Sequence, residues 1–284
     1  MGKYPILILL LALVVNCSND GQLTFMAKLP KSLDENSGMA YLKDSAVWLI
    51  EDSENRNKLY RVNFQGKITK DLEVKDAKNI DWEDLAKDDK NNLFIGDFGN
   101  NDLKRQNLVV YKVPDPEIEP GDKIESEKII FQYPAVIPGM APTELTRFDT
   151  EAMFYLKEHL YLITKHQTVP SNATSRIFKV PAQKGRYMAE FIGEFKTCGK
   201  EGSCRVTGAT ISPDAKKIVL LGNGKLWVYS DFLGDDFSKG SLKSINLKVN
   251  TQLEALSFLN DTILLLSDEE RAGTGRNLYR YQLR

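Results

Sequence analysis

The chain has 284 residues, 42% of them hydrophobic, enough for one large core or two average ones. Its 38 basic and 39 acidic residues leave a formal charge of −1. That balance excludes the basic surface that nucleic-acid binding depends on, so no nucleic-acid partner is expected.

The first element is a targeting segment. In MGKYPILILLLALVVNC one lysine precedes the apolar run Ile6–Val15. A run of that length is too short to cross a bilayer, which takes about 20 residues, and suits the core of a signal peptide. The ending Val14-Val15-Asn16-Cys17 resembles a bacterial lipobox, in which the cysteine becomes the lipidated first residue. Asn16 stands where Gly, Ala or Ser is usual. The expected organisation is a signal peptide (1–16), a lipidated tether (17–21) and one domain (22–284). Lipidation at Cys17 implies a lipid anchor and a cell-envelope location: an outer-membrane lipoprotein facing the periplasm or the cell surface. The alternative is plain secretion, with Cys17 removed or free.

After QLTFMAKL (22–29) the chain falls into a repeat. A first segment reads SGMAYL (37–42), EDLAKD (83–88), EAMFYL (151–156), TGATIS (207–212) and EALSFL (254–259). A second follows as VWLIED (47–52), LFIGDF (93–98), LYLITK (160–165), IVLLGN (218–223) and ILLLSD (263–268). A third is LYRV (59–62), VYKV (110–113), IFKV (177–180), LWVY (226–229) and LYRY (278–281). The fourth is KITKDLEV (67–74), KIIFQY (128–133), AEFIGEF (189–195) and KSINLKV (243–249). Short runs of Val, Ile, Leu, Tyr and Phe between Gly, Asn, Asp and Pro predict strands and tight turns. Four strands per repeat is the pattern of a propeller blade. The last unit lacks its outer strand, and 22–29 is the candidate to supply it. The expectation is an all-β, five-bladed β-propeller whose ring is closed by the N-terminal strand, which leaves no open edge at the seam.

The innermost strands of a propeller line its channel, so their first residues converge on one face. That column reads Ser37, Glu83, Glu151, Thr207 and Glu254, with an oxygen in every blade. The next column is small except for Asp84: Gly38, Ala152, Gly208 and Ala255. Three bare glutamates in a narrow tube repel one another and are costly to desolvate, so protons or a cation must neutralise them. Hard oxygen donors in this number suit Ca²⁺, and the column has no Cys or His for a softer metal. In the competing reading each glutamate binds backbone amides of the next blade and only locks the ring. Asp81 and Asp84 are expected to cap or bond the start of their strand.

The order Ser, Glu, Glu, hydroxyl, Glu resembles that of the five-bladed calcium-activated nucleotidases (apyrases), with Thr207 in place of the second Ser. In that family the residues at these places hold one central Ca²⁺. Over most of the mature chain, ENSGMAY, DWEDLA, IGDFGNN, DTEAMFY, VTGATISPD and QLEALSF resemble uncharacterised exported β-propeller lipoproteins of Bacteroidetes type. That resemblance implies fold and export without an activity.

The loops on the same face offer a ligand-binding rim of Asp52, Asp97, Lys165, His166, Asn223, Asp268 and Arg271. Loop 134–148 is stiffened by three prolines; its Val136, Ile137 and Met140 either form a lid or pack over the seam. His166, Lys165 and Arg147 are the candidate catalytic residues for a hydrolase, which needs cationic groups besides a metal. Cys198 and Cys204 are expected to form a small loop disulfide in an oxidising compartment. Two functions from different classes follow. One is a monomeric binding module for a periplasmic or extracellular glycan, peptide or protein, pinned by central calcium. The other is a calcium-dependent hydrolase of nucleotide or other phosphate-ester bonds, with a lactonase or esterase as a further enzyme class.

Overall fold

The computed structural model describes residues 19–139, 147–165, 173–197 and 204–284. Cys17, Met140, His166 and Cys198 lie outside the described residues.

Five antiparallel sheets form the five blades of a β-propeller. From the axis outward, blade 1 is Asn36–Ala40, Ala46–Glu51, Lys58–Asn63 and Ile68–Val74. Blade 2 is Trp82–Lys87, Leu93–Asp97, Leu108–Val113 and Glu127–Gln132. Blade 3 is Thr150–Leu156, His159–Thr164, Thr174–Pro181 and Glu190–Lys196. Blade 4 is Val206–Ile211, Lys217–Gly222, Lys225–Ser230 and Ser241–Asn246. Blade 5 is Leu253–Asn260, Ile263–Asp268 and Asn277–Gln282, completed by Leu23–Lys28. That N-terminal strand pairs antiparallel with the last strand of the chain, so the ring closes as the repeats predict.

Three blades carry a fifth, outermost strand that the four-segment repeat does not foresee. Lys123–Ile124, from the connection inside blade 2, adds in parallel to the edge of blade 1. Gly185–Met188, from blade 3, adds in parallel to blade 2. Asn19–Asp20 adds to Leu23–Lys28. An edge strand leaves N–H and C=O groups unpaired, and these straps pair them while tying a blade to its neighbour. The uncovered edges of blades 3 and 4 carry lysines and glutamates, which discourage pairing with another chain.

The core consists of five apolar seams, one between each pair of adjacent blades. Between blades 2 and 3, for example, Phe94, Phe131, Phe148 and Phe178 pack together, all fully buried. Both faces of every middle strand are therefore covered. This is why the second segments read as continuous apolar runs rather than as alternation.

Each inner strand has a β-bulge, and in every blade it falls at the same place. The ladder skips from Asn36 to Gly38, from Trp82 to Asp84, from Thr150 to Ala152, from Val206 to Gly208 and from Leu253 to Ala255. The residues left out of register are Ser37, Glu83, Glu151, Thr207 and Glu254. A bulge frees one residue from the pleat and re-aims its side chain. Here it does so for the whole oxygen-bearing column.

Candidate metal centre

Four of the five bulged residues are buried: Ser37, Glu83, Glu151 and Thr207; Glu254 is partly buried. The two hydroxyls act alike. Ser37 Oγ donates to the Trp82 carbonyl at 2.8 Å, and Thr207 Oγ1 donates to the Leu253 carbonyl at 2.8 Å. Each thereby bonds to the next blade at the residue just before that blade's glutamate. Their protons are used, which leaves oxygen lone pairs as the free function.

Among the described residues no backbone amide of another blade donates to the three glutamates. Such amides go to Asp84, whose Oδ2 accepts from Met153 N of blade 3 at 2.7 Å and from Ala209 N of blade 4 at 3.1 Å. Its Oδ1 accepts from Leu85 N at 2.7 Å. Asp84 thus does more than bond its own strand: it spans the axis and joins three blades. The column is small elsewhere because the strands converge here. A Cβ added at Gly38 would lie 2.7 Å from Leu85 N.

Further carboxylates gather around the glutamates. Oxygens of Glu83, Asp149 and Glu151 lie within 4.8 Å of one another, and so do oxygens of Asp52, Asp81 and Glu83. Among the described residues no hydrogen-bond donor reaches the Glu83 carboxylate, although that residue is only 7% exposed. Asp81 and Asp149 stand two residues before their blade's glutamate. The D-x-E of DWE and DTE is the sequence trace of this grouping, although the bulge at each glutamate takes the pair out of the simple strand period. Asn79 holds Asp52 in place: its amide donates to the carbonyls of Glu51 (2.9 Å) and Asp52 (2.7 Å). Its side-chain oxygen accepts from Trp82 N.

IGDFGNN, after the second strand of blade 2, builds the wall of this cluster. Asp97 forms an ion pair with Arg105 at 2.8 Å, and Arg105 also donates to the Gly99 carbonyl at 2.7 Å. A Cβ at Gly99 would lie 2.2 Å from Glu83 Oε1 and 2.4 Å from the Asp81 carboxylate, so only glycine leaves room for both acids. Asn100 N donates to Asp149 Oδ1 at 2.7 Å and links the wall to blade 3.

Among the described residues Lys165 is the cation bonded to the ring glutamates, while Arg105 acts on Asp81 from the wall. Lys165 Nζ bonds Glu151 Oε1 and stands 3.7 Å from Asp149 Oδ2, while its backbone N donates to the Asp149 carbonyl. Burial would lower the Lys165 pKa, but Glu151, Asp149 and Glu83 more than offset this and hold it above its usual range. The acids are pushed the other way. Burial, then Glu151 and Asp52, raise Glu83 well above the carboxylate range. Burial raises Glu151 despite Lys165. Burial also lifts Glu254 to about 7, Asp81 to about 6 and Glu269 to about 9, with Asp52 adding to each. One ammonium among the described residues does not neutralise all these acids, so protons or a bound cation must make up the rest.

The donors fit a hard cation. All are oxygens, and an ion that holds its ligands at about 2.4 Å spaces opposite ligands by about 5 Å, close to the separations among Glu83, Asp149 and Glu151. Ser37, Thr207, Glu83, Glu151, Glu254 and Asp149 are the residues that would hold it.

The rest of the expected rim divides. Asp52 and Lys165 belong to the cluster. Asp97 and Asp268 are fully buried in their own blades; Asp97 Oδ1 pairs with Arg105 and accepts from Asp81 N, and its Oδ2 has no hydrogen-bond partner among the described residues. Asp268 accepts from Thr251 Oγ1, from Asn277 N and, at 3.0 Å, from Tyr279 OH. Asn223 is exposed, and Arg271 lies at an exposed hairpin tip bridged to Thr274. Arg147 points to the Leu103 carbonyl at 3.4 Å. Of loop 134–148, Ile137 is buried in the seam between blades 2 and 3, whereas Val136 is exposed. Cys204 is buried. Among the described residues no helix is long and apolar enough to cross a membrane.

No protein family and no curated protein matches the chain. Solved structures with a similar backbone include the PQQ-bound aldose sugar dehydrogenase from Streptomyces coelicolor, at 9% identity and TM-score 0.49, covering 93% of this chain and 99% of that one. A nidogen/laminin complex aligns at 11% identity and TM-score 0.45, covering 83% of this chain and 73% of that one. The Cps50 (Swd1) β-propeller domain of Myceliophteria thermophila aligns at 9% identity and TM-score 0.46, covering 92% and 100%. Likenesses this remote carry no argument about what the chain binds.

Proposed function

We propose that the protein is a binding module whose central ring holds one divalent cation, Ca²⁺ by its donor chemistry, and offers it to a ligand on that face. The observation that carries this reading is the set of five β-bulges at Ser37, Glu83, Glu151, Thr207 and Glu254. A bulge interrupts the ladder, and five at equivalent positions are explained by a need to aim five oxygens at one point. Glu83, buried and without a hydrogen-bond donor among the described residues, supports it further. A partner supplying hydroxyl or carbonyl oxygens, as a glycan, peptide or protein does, completes the coordination of a hard ion. The lipobox-like Val14–Cys17 supports a cell-envelope location for such a module, as a lipid-anchored protein. A phosphate-ester hydrolase is the weaker reading. Asp52, Asp81, Asp149 and Glu269 surround the site, only Lys165 faces it among the described cations, and a polyanionic substrate would be repelled.

The test is thermal unfolding of chelator-treated protein with and without added metal. Ca²⁺ at about 100 times its dissociation constant should add about 2.7 kcal/mol, a rise of several degrees in Tm. Glu83→Gln should abolish the rise while leaving the metal-free protein as stable or more so, because it removes a repelled charge. A wild-type Tm indifferent to Ca²⁺ would end the proposal. Phosphate release from nucleotides that requires Ca²⁺ and Lys165 would replace it with the hydrolase.

A further inference from the structure

The opposite mouth of the channel is built differently. A cavity of about 270 Å³ lies where the inner strands end, at Asp88, Lys157, Ser212 and Phe258. Its floor is Met39, Leu85, Met153 and Ala209, the residues directly after the column that Asp84 closes. The space equals about nine water volumes, yet most of what it presents to a guest is carbon.

Two polar groups face this space with unused capacity. Lys87 lines it and is largely shielded from water. Among the described residues no carboxylate lies within ion-pair distance of its ammonium. The nearest acids do not serve it. Asp88 accepts from Lys90 N, Asn92 N and Asn92 Nδ2, and Asp89 points to solvent. Burial lowers the Lys87 pKa, with only the charge of Asp89 opposing. Ser257 Oγ accepts from Tyr41 N at 3.0 Å, and its own proton has no acceptor among the described residues. Lys157, exposed at the opening, adds a second positive charge.

We propose that this mouth is a second binding site, for a small amphiphilic carboxylate whose chain fills the cavity and whose head group meets Lys87 and Ser257. An anion supplies the partner that Lys87 lacks, and an apolar tail is what the floor accepts. A cationic guest would meet two ammoniums, and a fully polar one would leave the floor's carbon without contacts. The site is independent of the metal centre, because Asp84 and the converging strands stand between them.

Titration calorimetry of the full chain with octanoate, 1-octanol and octylammonium tests it, with calcium and with chelator. Octanoate should bind about tenfold more tightly than octanol, the ratio that a charge-assisted hydrogen bond gives. Octylammonium should not bind. Lys87→Met should reduce octanoate to the affinity of octanol and leave octanol unchanged, with Lys87→Gln as a second variant should the first fold poorly. Thr210→Trp, which fills the cavity from its lining, should remove both ligands. Equal affinity for octanoate and octanol, no binding of either, or octanoate binding unaffected by both Lys87 variants would overturn the proposal. Removal of Ca²⁺ should leave octanoate binding intact, which separates failure of this site from failure of the metal centre.

Discussion

Asp84→Ala is the substitution that most directly tests how the ring is held. The carboxylate takes N–H groups from Met153 and Ala209, on two other blades, at a depth where Asp84 itself is fully buried. These amides belong to innermost strands and point into the channel, where no further strand can accept them. Each orphaned buried donor costs about 1–3 kcal/mol, so the pair costs about 2–6 kcal/mol. Water reaching the gap from the opposite cavity moves the expectation to the lower half, about 3 kcal/mol. That is a large part of the 5–15 kcal/mol typical of a folded domain, and for this size it corresponds to roughly 10 °C in Tm. Burial pushes the Asp84 pKa up to about 8 against the opposing pull of three amides. Asp84→Asn keeps one acceptor oxygen for Met153 N and Ala209 N but sets its NH2 group against the Leu85 N–H, so its loss should be about 1–3 kcal/mol, smaller than that of alanine. Urea and thermal unfolding of the three proteins at pH 7 give the comparison. If Asp84→Ala unfolds within about 0.5 kcal/mol of wild type, the bonds across the axis do not hold the ring together and the account fails.

Gly99→Ala should abolish calcium stabilisation, since its methyl group would lie 2.2 Å from Glu83 Oε1; calorimetric titration with Ca²⁺ reads this directly. In chelator, Tm should fall as pH rises from about 6 to 9. The folded pKa values of Asp81, Glu254 and Glu269, about 6, 7 and 9, exceed those of the unfolded chain, so the native state holds more protons in this window and loses stability as they leave. Saturating Ca²⁺ should flatten the slope, and an equally steep slope with the metal would count against Glu254 as a ligand and against a cation beside Asp81 and Glu269. Lys165→Met should lower the Tm of the metal-free protein by several degrees, because Glu151 and Asp149 lose their one ammonium. Calcium should restore most of the loss, and failure to do so would mean that Lys165 is the ring's own permanent counter-ion.

The fold was legible because the repeat is written in apolar runs, and the ring column because it alone bears oxygen in every blade. What the segments could not convey is depth. Asp97 and Asp268 end their second strands and read as rim acids, yet they pair across from Trp82 and Leu253, just before the bulges. Their carboxylates therefore turn into their own blades, toward Arg105 and toward Asn277 with Tyr279. The bulges themselves have no local signature, since three glutamates, one serine and one threonine occupy them. Asp81 and Asp149 were legible in principle through the D-x-E spacing, but only blades 2 and 3 carry an aspartate there. Blades 1, 4 and 5 have Glu35, Arg205 and Gln252, so no column announces itself. The outer straps were missed because two to four residues of strand inside a loop are below what periodicity can register.

Asp84 explains why one channel can present two chemistries. Without a bridge at the axis, water would run from the acidic mouth to the apolar one, screening the carboxylates and filling the cavity. The bridge works only because its neighbours in the column are Gly38, Ala152, Gly208 and Ala255, small enough for one side chain to reach the amides of blades 3 and 4. A second long residue in that column would compete for the same space, and alanine at every position would leave the amides unpaired. One acid among four small residues closes the tube, and it is the placement of that acid beside Glu83, rather than the number of acids in DWED, that separates an acidic face from an apolar one.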